Sequence, residues 1–264
     1  MTGAGKWADL RLRVLSGTVV LVLGFAALWA GGLPLRLMAA AGAGVMIWEL
    51  AGLSAPGRPR QALGIAALAA LSAGLFLIMH GQFWLVLLPL PSVLLIATRR
   101  RDRFVTAFYG GLVMLACYAM VAFREGYGLG FVTWVALIVI ASDVMGYFGG
   151  RIIGGPKFWP AVSPKKTWAG TVAGWVGAAA VGLGAVIWAG QGGFVIWVSA
   201  LTAFAAQMGD IAESAIKRRA GAKDSSRLIP GHGGFLDRFD ALIGAAVFVI
   251  FWGMAQLPLP VFGG

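Results

Sequence analysis

Long apolar runs recur along the chain, separated by short polar segments. A bilayer hydrocarbon core of about 30 Å takes about 20 residues of helix to cross. On that measure the pattern predicts nine spans, at 14–34, 35–54, 62–80, 83–98, 104–123, 129–149, 168–189, 194–214 and 241–258. The runs are continuously apolar and long, so the fold class is all-α, a polytopic helical membrane protein. Gly31-Gly32-Leu33-Pro34 makes a tight turn between the first two spans. The fourth span is short and carries Leu88-Pro89-Leu90-Pro91, which predicts a kinked or re-entrant piece. The run from Val14 to Ala30 exceeds the length of a leader's apolar region and reads as a span. No linker separates domains, so 1–264 reads as one membrane domain. Within it, 1–128 holds the N-terminal spans and 129–264 the spans that border the polar loops.

Charge gives the layout a direction. Of the 21 Lys and Arg residues, all but Arg36 and Arg124 fall on one side of the nine-span arrangement. The positive-inside rule then puts the N-terminus in the cytoplasm and the C-terminus outside. The net charge of +11 is therefore mainly a topology signal, and it favours anionic lipid at the cytoplasmic leaflet. Basic residues confined to short loops between spans argue against nucleic acid as a partner. The composition agrees, at 59% hydrophobic and 12% charged. The lone Cys117, in mid-span, excludes an intramolecular disulfide.

The acidic residues are where chemistry begins. Of the 10 in the chain, Asp143, Asp210, Glu213, Asp224, Asp237 and Asp240 all fall at or near the cytoplasmic face of this layout. Asp210, Glu213, Ser214 and Lys217 recur at helical spacing and share one face. Glu213 is expected to pair with Lys217 at i,i+4. Asp210 has only Ser214 at i+4 and another acid at i+3, which invites a cation. Asp237 and Asp240 project from the first turn of the last span. They read either as complements to the helix dipole or, beside His232-Gly233-Gly234, as oxygen ligands near a phosphate. Lys217, Arg218, Arg219, Lys223, Arg227 and Arg238 are dense for a loop of this size and suit phosphate recognition, while a solvated basic loop accounts for Arg218 or Arg219. His232 reads as a phosphate donor, a structural cap or a proton-transfer group. Glu49 is an intramembrane acid with no role assigned.

A second polar loop runs from Ser142 through Ser163-Pro164-Lys165-Lys166-Thr167 to Gly170. Asp143 sits about two turns inside its span, about 9 Å deep at 1.5 Å per residue, where a carboxylate is a functional candidate. Ser163, Lys165, Lys166 and Thr167 precede a span and are placed to meet anionic groups at a helix start. No Walker A motif occurs, which excludes a P-loop ATPase.

The run from Ser214 to Asp240 resembles the phosphatidate cytidylyltransferase (CDP-diacylglycerol synthase) family. The residues that carry the likeness are Ser214, Ile216, Lys217, Arg218, Lys223, Asp224, Ser226, Ile229, Pro230, His232, Gly233, Gly234, Phe235, Asp237, Arg238, Phe239 and Asp240. Asp143 and Ser163 to Trp168 look like the family's second region, where Ala169 replaces its usual Glu or Gln. The resemblance implies a bacterial inner-membrane enzyme with its active site facing the cytoplasm. The reaction would join CTP and phosphatidate, giving CDP-diacylglycerol and pyrophosphate. It implies Mg²⁺ held by Asp210 and Asp237, with Asp240 close by and a second cation compatible. A homodimer is equally compatible. Asp210, Asp237, Asp240 and Lys217 would be catalytic. The substrate-binding set would be Ser163, Lys165, Lys166, Thr167, Ser214, Arg218, Lys223, Asp224, His232, Gly233, Gly234, Arg238 and Asp143.

Two rival readings stand beside this one. A membrane CTP-dependent polyprenol kinase would release CDP rather than pyrophosphate. An ion-coupled transporter would spread its charges across the midplane, whereas here they gather on one face. The Arg99–Arg103 loop reads as a topology signal only. Replacing Arg101 by alanine should therefore leave CTP-dependent lipid labelling near the wild-type rate, and a severe kinetic defect would contradict that assignment.

Overall fold

The structure is a computed structural model that describes residues 3–79 and 86–262, with side chains from residue 15 onward. The elements run α1 (Gly3–Ala30), α2 (Gly32–Ser54), α3 (Pro59–Met79), α4 (Leu90–Ala97) and α5 (Arg103–Ile152). They continue with β1 (Lys157–Trp159), β2 (Ser163–Thr167), α6 (Trp168–Ala189), α7 (Phe194–Ala220) and α8 (Leu236–Met254). Among the described residues, α2, α3, α5, α6 and α7 are long and apolar enough to cross a membrane.

The expected breaks appear where backbone chemistry forces them. The first two spans part at Gly31, with φ of 63°. The fifth and sixth run on as α5, whose 50 residues would reach about 75 Å if straight, more than twice a bilayer core. Gly128 breaks that helix with φ of 82°, a conformation that side-chain-bearing residues rarely adopt. The fourth expected span is a correction. Residues 83–85 lie outside the described residues, and from residue 86 the chain forms a turn and then the 8-residue α4, too short to cross. The side chains of Lys6, Arg11 and Arg13, used in the charge argument, also lie outside the described residues.

The chain is mostly helical, as an all-α reading expects, and one short hairpin is added to it. β1 and β2 form an antiparallel hairpin in which Lys157 faces Thr167 and Trp159 faces Ser163. Phe158 packs edge-on against Trp168, ring centroids 4.6 Å apart. The strands are too short for their periodicity to stand out among glycines and prolines. Thr167 ends the hairpin and caps α6, its Oγ1 accepting from Gly170 N at 3.2 Å.

The chain divides into two compact units, residues 1–121 with 219–239, and residues 122–218 with 240–264. In the first, α2 and α3 approach closely: a Cβ on Gly44 would lie 2.9 Å from Ala70 Cβ. The end of α2 is held by Arg100, whose guanidinium donates to Ala51 O at 3.2 Å and Ser54 Oγ at 3.0 Å. It also donates to Thr98 Oγ1 at 2.7 Å and Gln61 Oε1 at 3.3 Å. One arginine of the basic loop is thus a structural clasp on a helix-end carbonyl and its neighbouring hydroxyl.

In the second unit, glycines set the helix crossings. A Cβ on Gly170 would lie 2.6 Å from Gly146 O, so α6 crosses α5 backbone to backbone. Gln207 ties the layer together, donating to Ser142 Oγ and Thr171 O, each at 3.2 Å, and accepting from Trp175 Nε1 at 3.0 Å. Gly209 of α7 faces Gly244 of α8, and a Cβ on Gly244 would collide with the Ala205 carbonyl. Gly244→Ala should therefore cost about 1–3 kcal/mol through overpacking, read as a lower thermal midpoint in detergent. Gly193→Ala, where a Cβ meets nothing within 4 Å, should leave the midpoint unchanged.

Candidate active site

The first unit contains the glycine-rich turn, and two carboxylates organise it. Glu49, on α2, is 2% exposed. Its Oε1 accepts from Phe235 N at 2.8 Å and Ser226 Oγ at 2.5 Å. Its Oε2 accepts from Leu236 N at 2.6 Å and Ser225 Oγ at 3.3 Å. Asp237 Oδ2 accepts from Gly234 N at 2.7 Å, Ser225 N at 2.8 Å and Ser225 Oγ at 2.9 Å. Burying a carboxylate costs several kcal/mol. Hydrogen bonds to a charged group return about 1.5–3 kcal/mol each, so only a dense donor set can hold one there.

This arrangement explains the glycine pair. Gly233 has φ of 83°, and a Cβ there would lie 2.9 Å from Asp237 Oδ2. A Cβ on Gly234 would lie 2.6 Å from Glu49 Oε1 and would collide with Ser225 Oγ. The backbone does approach an anion closely, as the sequence suggests, but the anions are side chains of this protein. His232 sits beside α1, its Nδ1 3.0 Å from Ser16 Oγ, and Ser16 Oγ donates to Pro230 O at 3.1 Å. Lys223, Asp224 and Arg227 are exposed along a cavity of about 450 Å³ that Gly52, Leu53 and Pro56 also line. Arg238 is exposed on the first turn of α8.

The second unit collects the other charges. Lys166, on β2, reaches Asp210 Oδ2 at 2.7 Å and Gln207 O at 3.5 Å. Ser214 Oγ donates to Asp210 Oδ1 at 3.4 Å, one turn along α7. Glu213 pairs with Lys217 at i,i+4 as expected, and both are buried. Asp240 lies within electrostatic reach of Asp210, Lys217 and Asp143, so three carboxylates and a lysine share one field. Its Oδ1 accepts from Ala241 N at 2.7 Å. Asp143 is exposed on α5, Ser163 opens β2, and Lys165 and Arg218 point to the surface.

These donors suit a hard cation, since carboxylate oxygens are what Mg²⁺ takes. Among the described residues no three His, Cys, Asp or Glu side chains converge as a preformed cage. Mg²⁺ is usually held by one or two carboxylates, with water and substrate phosphates completing its shell.

Sequence reasoning places Lys166 near anions but cannot name Asp210, 44 residues away, as its partner. It leaves Glu49 unassigned, although an acid inside a span is itself a signal. The partner of that acid cannot be read, because the contacts span 176 to 187 residues.

Lysines paired with carboxylates on apolar helices, beside exposed arginines, are groups suited to meeting phosphates. The Cytidylyltransferase family model matches residues 11–255, and the chain belongs to that family. A phosphatidate cytidylyltransferase of Brucella abortus biovar 1 (strain 9-941) is 34% identical over 256 residues, covering 93% of this chain and 94% of that one. One from Staphylococcus aureus (strain COL) is 29% identical over 89% of this chain and 95% of that one. One from Helicobacter pylori (strain ATCC 700392 / 26695) is 38% identical over 49% of each.

The Lys166–Asp210 pair is half-open to solvent, with side chains 21% and 37% exposed. Lys166→Met should change stability by no more than about 1 kcal/mol. The same variant should lose most of its activity with CTP, and a fully active variant would show that the pair is only structural.

Proposed function

We propose that this protein transfers the cytidylyl group of CTP to phosphatidate, giving CDP-diacylglycerol and pyrophosphate. The observation that carries the reading is family membership over residues 11–255, a range that includes both charged segments. The lysine-carboxylate cluster supports it, because a nucleotidyl transfer between two anions needs alignment and charge neutralisation above all. A phosphate oxygen of phosphatidate forms a bond to the α-phosphorus of CTP, the bond to the β-phosphate bridging oxygen breaks, and pyrophosphate leaves. The nucleophile is already an anion, so no general base is required.

The protein's own groups then have separate tasks. Lys166 and Lys217, both beside carboxylates, supply fixed positive charge to the triphosphate. Lys165, Arg218, Lys223 and Arg238, all exposed, engage phosphate oxygens. Ser163, Thr167, Ser214, Asp224, His232 and Asp143 complete the substrate contacts. Asp210 and Asp237 are the ligands we assign to Mg²⁺, with Asp240 one turn further along α8. When bound, the ion would offset the charge of the triphosphate. The basic residues of the loops beside these groups, by the positive-inside rule, support our placing them at the cytoplasmic face of a bacterial inner membrane. That arrangement gives the site CTP from one side and phosphatidate from the bilayer.

Purified protein given radiolabelled CTP, phosphatidate and Mg²⁺ should move cytidine label into the lipid extract and release pyrophosphate. Release of CDP instead would favour the polyprenol kinase reading. Asp237→Asn should abolish turnover while leaving the protein folded. The asparagine oxygen can still accept from Ser225 and Gly234, but the carboxylate charge is gone. Normal turnover in that variant would remove Asp237 from the metal assignment.

A further inference from the structure

We infer that Glu49 is a positioning residue for this reaction, a tethered internal anion that sets the conformation of Asp237 and closes the start of α8 to phosphate. The inference rests on the functional reading above and extends it to a residue outside both charged segments. Helix N-termini attract anions through their unpaired N–H groups. At α8 those donors are engaged: Phe235 N and Leu236 N donate to Glu49, and Gly234 N donates to Asp237. An anion arriving from solvent would have to displace a buried carboxylate. The phosphates of a substrate are therefore directed to side-chain cations rather than to this backbone.

The same carboxylate reaches Asp237 through one serine. Ser225 Oγ lies 2.9 Å from Asp237 Oδ2 and 3.3 Å from Glu49 Oε2, so a single hydroxyl joins both acids. Ser226 fixes the other side, donating to Glu49 Oε1 at 2.5 Å while accepting from Leu228 N at 3.0 Å. Asp237 Oδ2 is thus held in the turn, and its rotamer is set by groups that Glu49 in turn holds. A partner that orients a metal ligand in this way typically changes metal affinity or activity by about 10–100-fold when altered.

The test uses the full-length protein in detergent, comparing wild type with Glu49→Gln and Ser226→Ala. Glutamine keeps the length of the side chain but turns a donor toward N–H groups that need acceptors. The half-saturating Mg²⁺ concentration should rise about 10–100-fold in Glu49→Gln, with kcat falling and KM for phosphatidate little changed. Mn²⁺ binding in the presence of CTP and the absence of lipid, read by electron paramagnetic resonance, should weaken in parallel. Amide hydrogen exchange should speed up over residues 225–238 and not elsewhere. Ser226→Ala removes one donor and should move each readout the same way by less, which keeps the inference testable if Glu49→Gln does not fold. Unchanged Mg²⁺ dependence, Mn²⁺ binding and exchange in a folded Glu49→Gln, or in Ser226→Ala if Glu49→Gln fails to fold, would overturn it. Failure of the wild type to make CDP-diacylglycerol would instead overturn the functional reading, because hydrogen exchange reports on Glu49 without turnover.

Discussion

A buried carboxylate must be surrounded by donors, and in this protein that constraint shapes the whole glycine-rich turn. Glu49 sits near the end of an apolar helix where water is scarce. Two serine hydroxyls and two backbone N–H groups converge on it from a segment far along the chain. The turn from Ser225 to Leu236 is consequently folded around an anion before any substrate arrives. Gly233 and Gly234 are required because side chains there would occupy the space of the carboxylates.

The second charged region is built on a different principle. Its carboxylates lie in a common field with lysines, and small residues let the helices that carry them approach. Gly209 lies against α8 beside the Asp240 carbonyl, which brings neighbouring Asp210 into the field of Asp240. Lys166 arrives from a short hairpin rather than a span, so its ammonium can reach Asp210 without burying a long charged stem in lipid. Close backbone packing and mutual charge compensation are thus linked: without the glycines the acids would stand apart, and without the lysines their repulsion would be uncompensated.

Local relations are legible from the chain alone. The Glu213–Lys217 pair comes from i,i+4 spacing and needs nothing beyond the helix that carries it. Breaks at Gly31 and Gly128 come from glycine's access to positive φ. The fourth span fails because its helix starts only at the prolines, with Pro89 as N-cap and Pro91 in the first turn, and ends at Ala97, and the hairpin at 157–167 escapes notice because strands of three and five residues leave almost no periodic signal. In sequence the basic loop reads as a topology signal throughout, yet Arg100 is a clasp on α2, a role that depends on carbonyl and hydroxyl oxygens some 46 to 49 residues away.

By itself the sequence determined membrane character, the two charged segments and the family likeness, since each depends on composition or on residues near one another in the chain. Only the tertiary structure decided which charges meet. It gave Glu49 its donors, Lys166 its aspartate and His232 its serine. Those pairings depend on how helices distant in sequence are brought together, and hydrophobic periodicity carries no record of that.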